Sequence, residues 1–580
     1  MFYPLRSSRI QYASISRTVV AGWILVLFSG VGFKLCGQSV VAITNVTVID
    51  ATGAQPKPHT TVVIASGRIT EITDDVAFQT PASAAMIDGT GKFLIPGLWD
   101  MHVHWYDTDY LPIFIANGIT GMRIMWGFPL HHEWRKKIED GSLLGPRLLI
   151  ASTIVDGPDP VWPGSLVASN ADEGRQAVKQ SIAEGADFIK VYSRLPRAAY
   201  FAIADEAKKR GIPFEGHVPD SVTVEEASDA GQLTMEHLLG LPAACDTPAK
   251  AKAVFAKFKT NHTWQCPTLT VLRIMDCMGN PAGTNDDRLR FMPAELRDYW
   301  LDRMTAFDSK PPAEKTDRQK TYRRDLELVA EMQRAGVDIL AGTDTGNPFC
   351  FPGFSLHDEL GLLVQAGLSP MQALQTATLN PARFLGQEKD LGTIEKGKFA
   401  DLILLDANPL EDIGNTRKID AVIYRGRAYP RPALDEMLAT IQSLAGATKS
   451  GIGEALSRTL AAQGVDAAIA RYRQLKSSQP SAYDFSEEQL NLLGYSLIQK
   501  KKFTDAIKIL ELNVEQFPNS ANVYDSLGEA CLDDGQNDLA AKNYQRSLEL
   551  NPANSTALHV LKRLSAAIST STNMSKPSPP

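Results

Sequence analysis

Leu94-Ile-Pro-Gly-Leu-Trp-Asp-Met-His-Val-His104 is an apolar run that ends in two histidines spaced i and i+2. Side chains on a strand alternate between faces, so His102 and His104 share one face at the strand's C-terminal end. Two neutral imidazoles so placed can grip one divalent cation. A bare His-x-His pair is weak evidence by itself, because two partly exposed strand-end histidines are the commoner explanation. The decision rests on what the later apolar runs carry at their own ends.

Working outward, residues 94–385 alternate short apolar runs with helical segments, the signature of repeated βα units. Eight strands are expected, at Phe93–His104, Ile119–Met125, Arg147–Thr153, Asp187–Tyr192, Pro213–Val218, Leu233–Leu238, Thr263–Leu269 and Val337–Thr343. Helices such as Asp172–Glu184, Ala198–Arg210 and Arg323–Ala335 are expected between them. Eight such units fit an α/β fold of the (β/α)8 barrel type, in which chemistry sits at the C-terminal strand ends. Those ends carry Lys190 on the fourth strand, His217 on the fifth, His237 on the sixth and Asp344 on the eighth. Each alone has a plain explanation: a lysine reaching for solvent, a core or loop histidine, a turn aspartate before Thr-Gly. Six such residues at the correct strand ends point jointly to a metal site.

These residues resemble the amidohydrolase superfamily, in the branch grouped with imidazolonepropionase and prolidase-like dipeptidases. The resemblance is carried by Pro96-Gly-Leu-Trp-Asp-Met-His-Val-His104, Lys190 in its Ile-Lys-Val-Tyr context, His217, Glu236-His237 and Gly342-Thr-Asp-Thr-Gly346. To these are added His357-Asp-Glu-Leu, the run from Gly367 to Pro381 and the return segment Leu391–Leu405. It covers residues 41–430. It implies that 41–93 and 386–430 form a composite β-sandwich beside a barrel of residues 94–385. It also implies two divalent ions, with zinc expected. One would sit on His102, His104 and Asp344, the second on His217 and His237, with Lys190 as the bridge. A lysine ammonium is donor-only and cannot ligate a cation. Beside two cations its pKa should fall, and the neutral amine can then add carbon dioxide to become an anionic carbamate. Asp344 would be the general acid–base. The implied reaction is hydrolysis of a C–N bond, amide or cyclic amide, in a small molecule. Tyr192 and His357 are weaker candidates for touching substrate.

Two departures bear on the substrate. The dipeptidases carry a tyrosine after the fifth-strand histidine, in a His-Ala-Tyr-Gly run, whereas this chain has His217-Val-Pro-Asp220. The imidazolone-cleaving relatives use one metal and do not need the bridging lysine. A dipeptidase is therefore the rival within the enzyme class, and a binding or scaffold protein with a relict barrel is the rival outside it. His59, His131, His132, His262 and His559 are expected to be ordinary surface or loop histidines. Trp99, Trp105, Trp126 and Trp162 lie near strand ends or loops and offer an apolar substrate wall, although large aromatics commonly just pack.

The remaining text supplies the frame. At 580 residues, two or three domains are expected. The chain is 44% hydrophobic and 22% charged, and its net charge of -7 gives no basic footprint for nucleic acid. The six cysteines form no C-x-x-C pair, so no thiolate zinc site is indicated. Residues 41–75 look like short strands with a hairpin turn at Ser66-Gly67-Arg68. Residues 1–38 have basic residues before an uncharged run and are expected to be a signal peptide or an N-terminal anchor, so an exported protein is expected. In the C-terminal region 431–568, Leu493-Gly494, Ala506 and Pro518 recur as Leu527-Gly528, Ala540 and Pro552, each shifted by 34. This resembles tetratricopeptide repeats, which would offer a surface for a protein or peptide partner. Residues 569–580 are expected to be disordered. The sequence is compatible with a homo-oligomer.

Overall fold

A computed structural model describes residues 40–74, 84–162, 164–277, 285–308, 310–447 and 449–552, with scattered positions up to 564. The expected leader, 1–38, and tail, 569–580, lie outside the described residues. No helix among the described residues is long and apolar enough to cross a membrane. The chain divides into two compact units, Met1–Arg288 with Arg303–Gln442, and Leu289–Asp302 with Ser443–Pro580. The boundary falls inside the helix Arg431–Ala447 rather than at residue 431. The second unit also takes in Leu289–Asp302, which periodicity had assigned to the barrel. A hydrogen bond across 194 residues, from Gln489 Nε2 to Glu295 Oε1 at 2.8 Å, is one tie that local pattern cannot show.

The first unit begins with strands β1 (Val41–Val48), β2 (Lys57–Ala65), β3 (Arg68–Asp74), β4 (Ala85–Asp88) and β5 (Phe93–Pro96). β2 and β3 meet in the expected hairpin, where Ser66 and Gly67 both have positive φ (54° and 75°). That conformation matches the twist of paired strands.

Next come β6 (Leu98–Val103), β7 (Ile119–Ile124) and β8 (Arg147–Ile150), paired in parallel. After the short β9 (Val155–Asp156) and β10 (Leu166–Val167) come β11 (Ile189–Val191), β12 (Phe214–Gly216), β13 (Thr234–Glu236) and β14 (Trp264–Cys266). β11 to β14 pair in parallel in that order. A parallel bridge from Ala151 to Phe188 joins the two groups. Further bridges, Gln265 to Ile339 and Val103 to Thr345, return the circuit to β6. The eighth expected strand, Val337–Thr343, is therefore irregular. It pairs through isolated bridges because Gly342 packs with no room for a side chain and Asp344 adopts φ 58°.

Helices alternate with these strands. The left-handed Gly211 (φ 69°) and Gly336 (φ 75°) end two of them, Arg197–Arg210 and Pro312–Ala335. The chain then rejoins the first sheet through β15 (Leu402–Leu405), β16 (Ile419–Tyr424) and β17 (Arg427–Pro430). The order there is β17-β16-β15-β5-β1-β2-β3, with β4 on β1. Val41, Ile43, Val62, Ile64, Leu402, Leu404 and Ile423 are buried together, so both halves of this sheet share one apolar core.

The second unit is helical, and the expected 34-residue offset relates its hairpins. Glu487–Gln499 with Phe503–Gln516 is followed by Ala521–Asp533 with Asn537–Leu550. Gly494 faces Leu510, and Gly528 faces Tyr544 at the equivalent place. A Cβ on Gly494 would lie 2.6 Å from Leu510, so this crossing needs a small residue.

Candidate metal centre

The six residues singled out from sequence converge at the C-terminal ends of the parallel strands, and all six are buried or nearly so. The irregular eighth segment brings Asp344 in: its amide donates to the His102 carbonyl at 2.9 Å, while the His104 amide donates to Thr345 O at 2.8 Å. Asp344 Oδ1 then lies 3.4 Å from His102 Nε2 and 3.2 Å from His104 Nε2. Its Oδ2 lies 4.0 Å from His237 Nδ1. The imidazole centroids of His102 and His237 are 4.6 Å apart, and those of His217 and His237 are 5.0 Å apart. Asp344, His237 and Thr268 all have left-handed φ (58°, 62° and 50°) without being glycine. Such conformations cost on the order of 1–3 kcal/mol each and persist where the surrounding structure enforces them.

Side-chain hydroxyls hold two of the rings. His237 Nδ1 is 2.7 Å from Thr268 Oγ1, and His217 Nδ1 is 2.7 Å from Ser193 Oγ. Tyr192 stacks on His217 at 3.8 Å between centroids, and its hydroxyl accepts from Trp162 Nε1 at 2.7 Å. Tyr192 is thus beside the site, holding a histidine.

Beneath the cluster lies a buried ionic layer. His102 Nδ1 is 2.7 Å from Glu236 Oε2. The other Glu236 oxygen accepts from Arg123 Nη2 at 2.9 Å and from Thr234 Oγ1 at 2.6 Å. Arg123 is fully buried and also donates to Glu215 Oε2 at 2.7 Å and to Met101 O at 2.6 Å. Burial opposes the Glu236 charge, but Arg123 and Lys190 outweigh it and hold the carboxyl below its ordinary range. An ionised carboxylate only accepts, so the His102 proton sits on Nδ1 and the Nε2 lone pair faces Asp344.

Burial pushes the imidazoles of His102, His217 and His237 downward, towards neutral rings with free lone pairs. Burial would raise the Asp344 carboxyl, but the surrounding imidazoles, His102 first, reverse this and hold it well below the carboxylate range. Lys190 is fully buried, and burial lowers its ammonium to about 8. Gly216 makes its room: a Cβ there would lie 2.9 Å from Lys190 Cδ and 2.4 Å from Val191 O.

The donor set fits a divalent cation. Ligand atoms of His102, His237 and Asp344 all lie within 4.8 Å of one another. His102 Nε2 and Lys190 Nζ are buried and bonded to nothing among the described residues. A second trio, His102, Glu236 and Cys266, also converges. It fits less well, because His102 Nδ1 and Glu236 are already committed to each other and burial keeps the Cys266 thiol protonated.

Three expectations need correction. His357 is not brought to the cluster. It is buried, with Nδ1 3.0 Å from Thr416 Oγ1 and Nε2 3.0 Å from Asn117 O. Asn117 precedes β7, so these bonds lie at the N-terminal ends of the strands, away from the six-residue cluster. His131 is no surface histidine: it is buried, 2.9 Å from Trp105 O, and its Nδ1 accepts from the Phe128 amide. Trp99 packs in the core with Met101 and Trp264 rather than in a substrate wall. Sequence reasoning also missed Arg123, Glu215 and Thr268. An arginine inside the apolar run Ile119–Ile124 was the available signal for the first.

Comparison with known proteins agrees with this geometry. The amidohydrolase family matches residues 93–429, more than half of the chain. The ochratoxinase of Aspergillus niger is 26% identical over 409 residues, covering 59% of this chain and 76% of that protein. The solved structure of a bottromycin amidohydrolase aligns with TM-score 0.59 at 26% identity, over 70% of this chain and 90% of that one. A Xaa-Pro dipeptidase shares the fold with TM-score 0.54 at 22% identity, over 68% of this chain and 100% of that one. The family match makes the chain a hydrolase acting on C–N bonds. The chain belongs to the amidohydrolase family.

Proposed function

We propose that the chain hydrolyses an amide or cyclic amide bond of a small molecule at a site for two divalent cations, zinc in the first instance. One observation carries the reading: six potential ligands share one buried cluster in which His102 Nε2 and Lys190 Nζ have no hydrogen-bond partner among the described residues. His102, His104 and Asp344 would hold one cation and His217 and His237 the other. Cations bound there supply Lewis acidity and bring the ionisation of a water near neutral pH.

The chain's own residues do the rest. Glu236 keeps the His102 lone pair turned inward, and Ser193 and Thr268 orient His217 and His237. Asp344, held ionised, takes a proton from the attacking water and returns it to the leaving nitrogen. Lys190, with its ammonium lowered to about 8, is partly neutral near pH 7 to 8. As an amine it could add carbon dioxide and release one proton, giving an anionic carbamate that would help hold the cations. The closed circuit of parallel pairings is read as a (β/α)8 barrel and the first sheet as its flanking β-sandwich. The hairpins of the second unit are read as tetratricopeptide-like repeats for a protein or peptide partner, and the basic-then-apolar leader as an export signal.

The test is metal analysis of purified protein, followed by a screen against N-acyl amino acids, dipeptides and cyclic amides. About two ions per chain, lost in His102→Ala/His104→Ala, with turnover lost in Asp344→Asn, is the expected result. A metal-loaded protein that turns over at the parent rate after Asp344→Asn contradicts the reading.

A further inference from the structure

The helix Leu269–Cys277 starts directly after β14, and the residue placed to cap it is Thr268. The Leu272 amide donates to Thr268 O at 3.2 Å, the first bond of that helix. A threonine at such a position ordinarily has extended backbone and turns its hydroxyl onto the first-turn amides. Thr268 does neither. Its φ is 50°, and its hydroxyl is committed elsewhere. Oγ1 donates to Pro267 O at 2.8 Å and lies 2.7 Å from His237 Nδ1. A hydroxyl has one proton to give. With that proton on Pro267 O, the hydroxyl accepts from His237 Nδ1–H, which leaves the lone pair on Nε2.

The first-turn amides are served instead from the helix Ser355–Gln365. Glu359 Oε1 accepts from the Leu269 amide at 2.9 Å, and Oε2 accepts from the Thr270 amide at 2.7 Å and the Thr270 hydroxyl at 2.8 Å. Thr268, Leu269, Thr270 and Glu359 are all fully buried, so bulk water does not stand in for a missing acceptor. An ionised carboxylate can take all three donors, because it only accepts. A local cap is thus replaced by one from 90 residues away, and the threonine is released to hold a histidine.

Resting on the two-cation reading above, we propose that Glu359 is a positioning residue for His237: by capping the helix in place of Thr268, it keeps the Thr268 hydroxyl on the imidazole. Without the carboxylate, the hydroxyl is drawn back to its own first-turn amides, and His237 loses the partner that keeps its proton on Nδ1. Burial pushes the Glu359 carboxyl up to about 7 against the bonds from Thr270 and Leu269, and Asp100 on β6 adds to the rise. The Cys266 and Cys350 thiols face the same carboxylate, and burial keeps both protonated. Arg273, on the capped helix, acts on Cys350. On Glu359's own helix, His357 is bonded to Thr416 and Asn117, and Asp358 to Arg288 and Arg417. The hold on His237 is therefore firm above about pH 7 and slackens below it.

The experiment measures zinc affinity of the full-length protein, by competition with a chelator, at about pH 8.5 and about pH 5.5. It compares the parent, Glu359→Gln, Thr268→Val and the double variant. Glu359→Gln imitates the protonated acid. It should weaken zinc about tenfold at the higher pH and lie within about twofold of the parent at the lower. In the Thr268→Val background it should add nothing, since both changes remove one linkage. A Glu359 that only supports the fold would weaken both backgrounds alike at both pH values, and that result overturns the inference. Should Glu359→Gln fail to fold, the parent and Thr268→Val decide: on acidification the parent must lose about tenfold more affinity than Thr268→Val, and equal losses refute the proposal. If the parent binds no zinc, the two-cation reading falls, and the inference is judged on metal-free protein labelled with 15N-histidine. The His237 signal, identified by its loss in His237→Gln, should report a proton on Nδ1 in the parent and a shifted tautomer in Glu359→Gln, or in the parent at about pH 5.5 if that variant is lost. An unchanged tautomer refutes the proposal.

Discussion

Replacing Glu236 by Gln is the sharpest probe of the layer beneath the metal site. One Glu236 oxygen faces two donors, Arg123 Nη2 and Thr234 Oγ1, and the other faces His102 Nδ1. A glutamine has one acceptor and one donor at those two places. If its oxygen stays on Arg123, its NH2 points at His102 Nδ1. The ring must then move its proton to Nε2, on the lone pair meant for the cation. If its oxygen turns to His102, its NH2 opposes a guanidinium. The first arrangement gives up that lone pair, and the second leaves the amide N–H and Arg123 Nη2 without acceptors, at about 1–3 kcal/mol of stability. Arg123 keeps Glu215, at 2.7 Å, so the full penalty of an orphaned buried charge is not expected. Metal affinity should fall about 10–100-fold, the usual loss when the partner of a ligating histidine is removed. Competition with a chromogenic chelator measures the affinity, and thermal unfolding with and without zinc measures the rest. An affinity within about twofold of the parent in a protein of normal fold would show that Glu236 does not set the His102 proton.

Other outcomes follow from the same geometry. Lys190→Met removes a buried ammonium that has no bond among the described residues. It should leave the metal-free protein no less stable while lowering the metal content from two ions to one, read by elemental analysis. Because burial lowers the Lys190 ammonium to about 8, its neutral form grows as pH rises through that value. A carbamate signal from 13C-bicarbonate should therefore strengthen between pH 6 and 9, and a signal that weakens would contradict the assignment. The sign for folding is the same, since the unfolded lysine binds its proton more tightly: the charge penalty applies in full below about 8 and is relieved as pH climbs towards the unfolded value. Glu359 accepts from the Leu269 and Thr270 amides and the Thr270 hydroxyl at 2.7–2.9 Å, so Glu359→Ala should cost about 2–3 kcal/mol in urea unfolding. Gly494→Val puts a branched chain against Leu510 and should destabilise the helical unit by about 1–3 kcal/mol, visible as an earlier transition by circular dichroism.

His102 and His104 were legible because their relation is local: two residues apart on one strand, they share a face whatever the rest of the chain does. Lys190, His217, His237 and Asp344 were legible because each ends an apolar run, and parallel βα units send such ends to one rim. His357 followed an equally familiar motif, but it sits in a helix, and its ring is consumed by Thr416 and Asn117. The pairing of Arg123 with Glu215 and Glu236 spans 92 and 113 residues and leaves no periodic trace. The helical unit's annexation of Leu289–Asp302 is likewise invisible to local pattern.

By itself, then, the sequence determined the α/β class, the six residues that gather at the strand ends and the 34-residue offset of the helical hairpins, because alternation and repetition act over a few neighbouring residues. Only the tertiary structure decided which charges lie under the site, which aromatic ring stacks on His217 and which histidines are spent on packing. Those outcomes depend on burial and on partners a hundred residues away, where a hydrogen bond is made or missed by the fold as a whole.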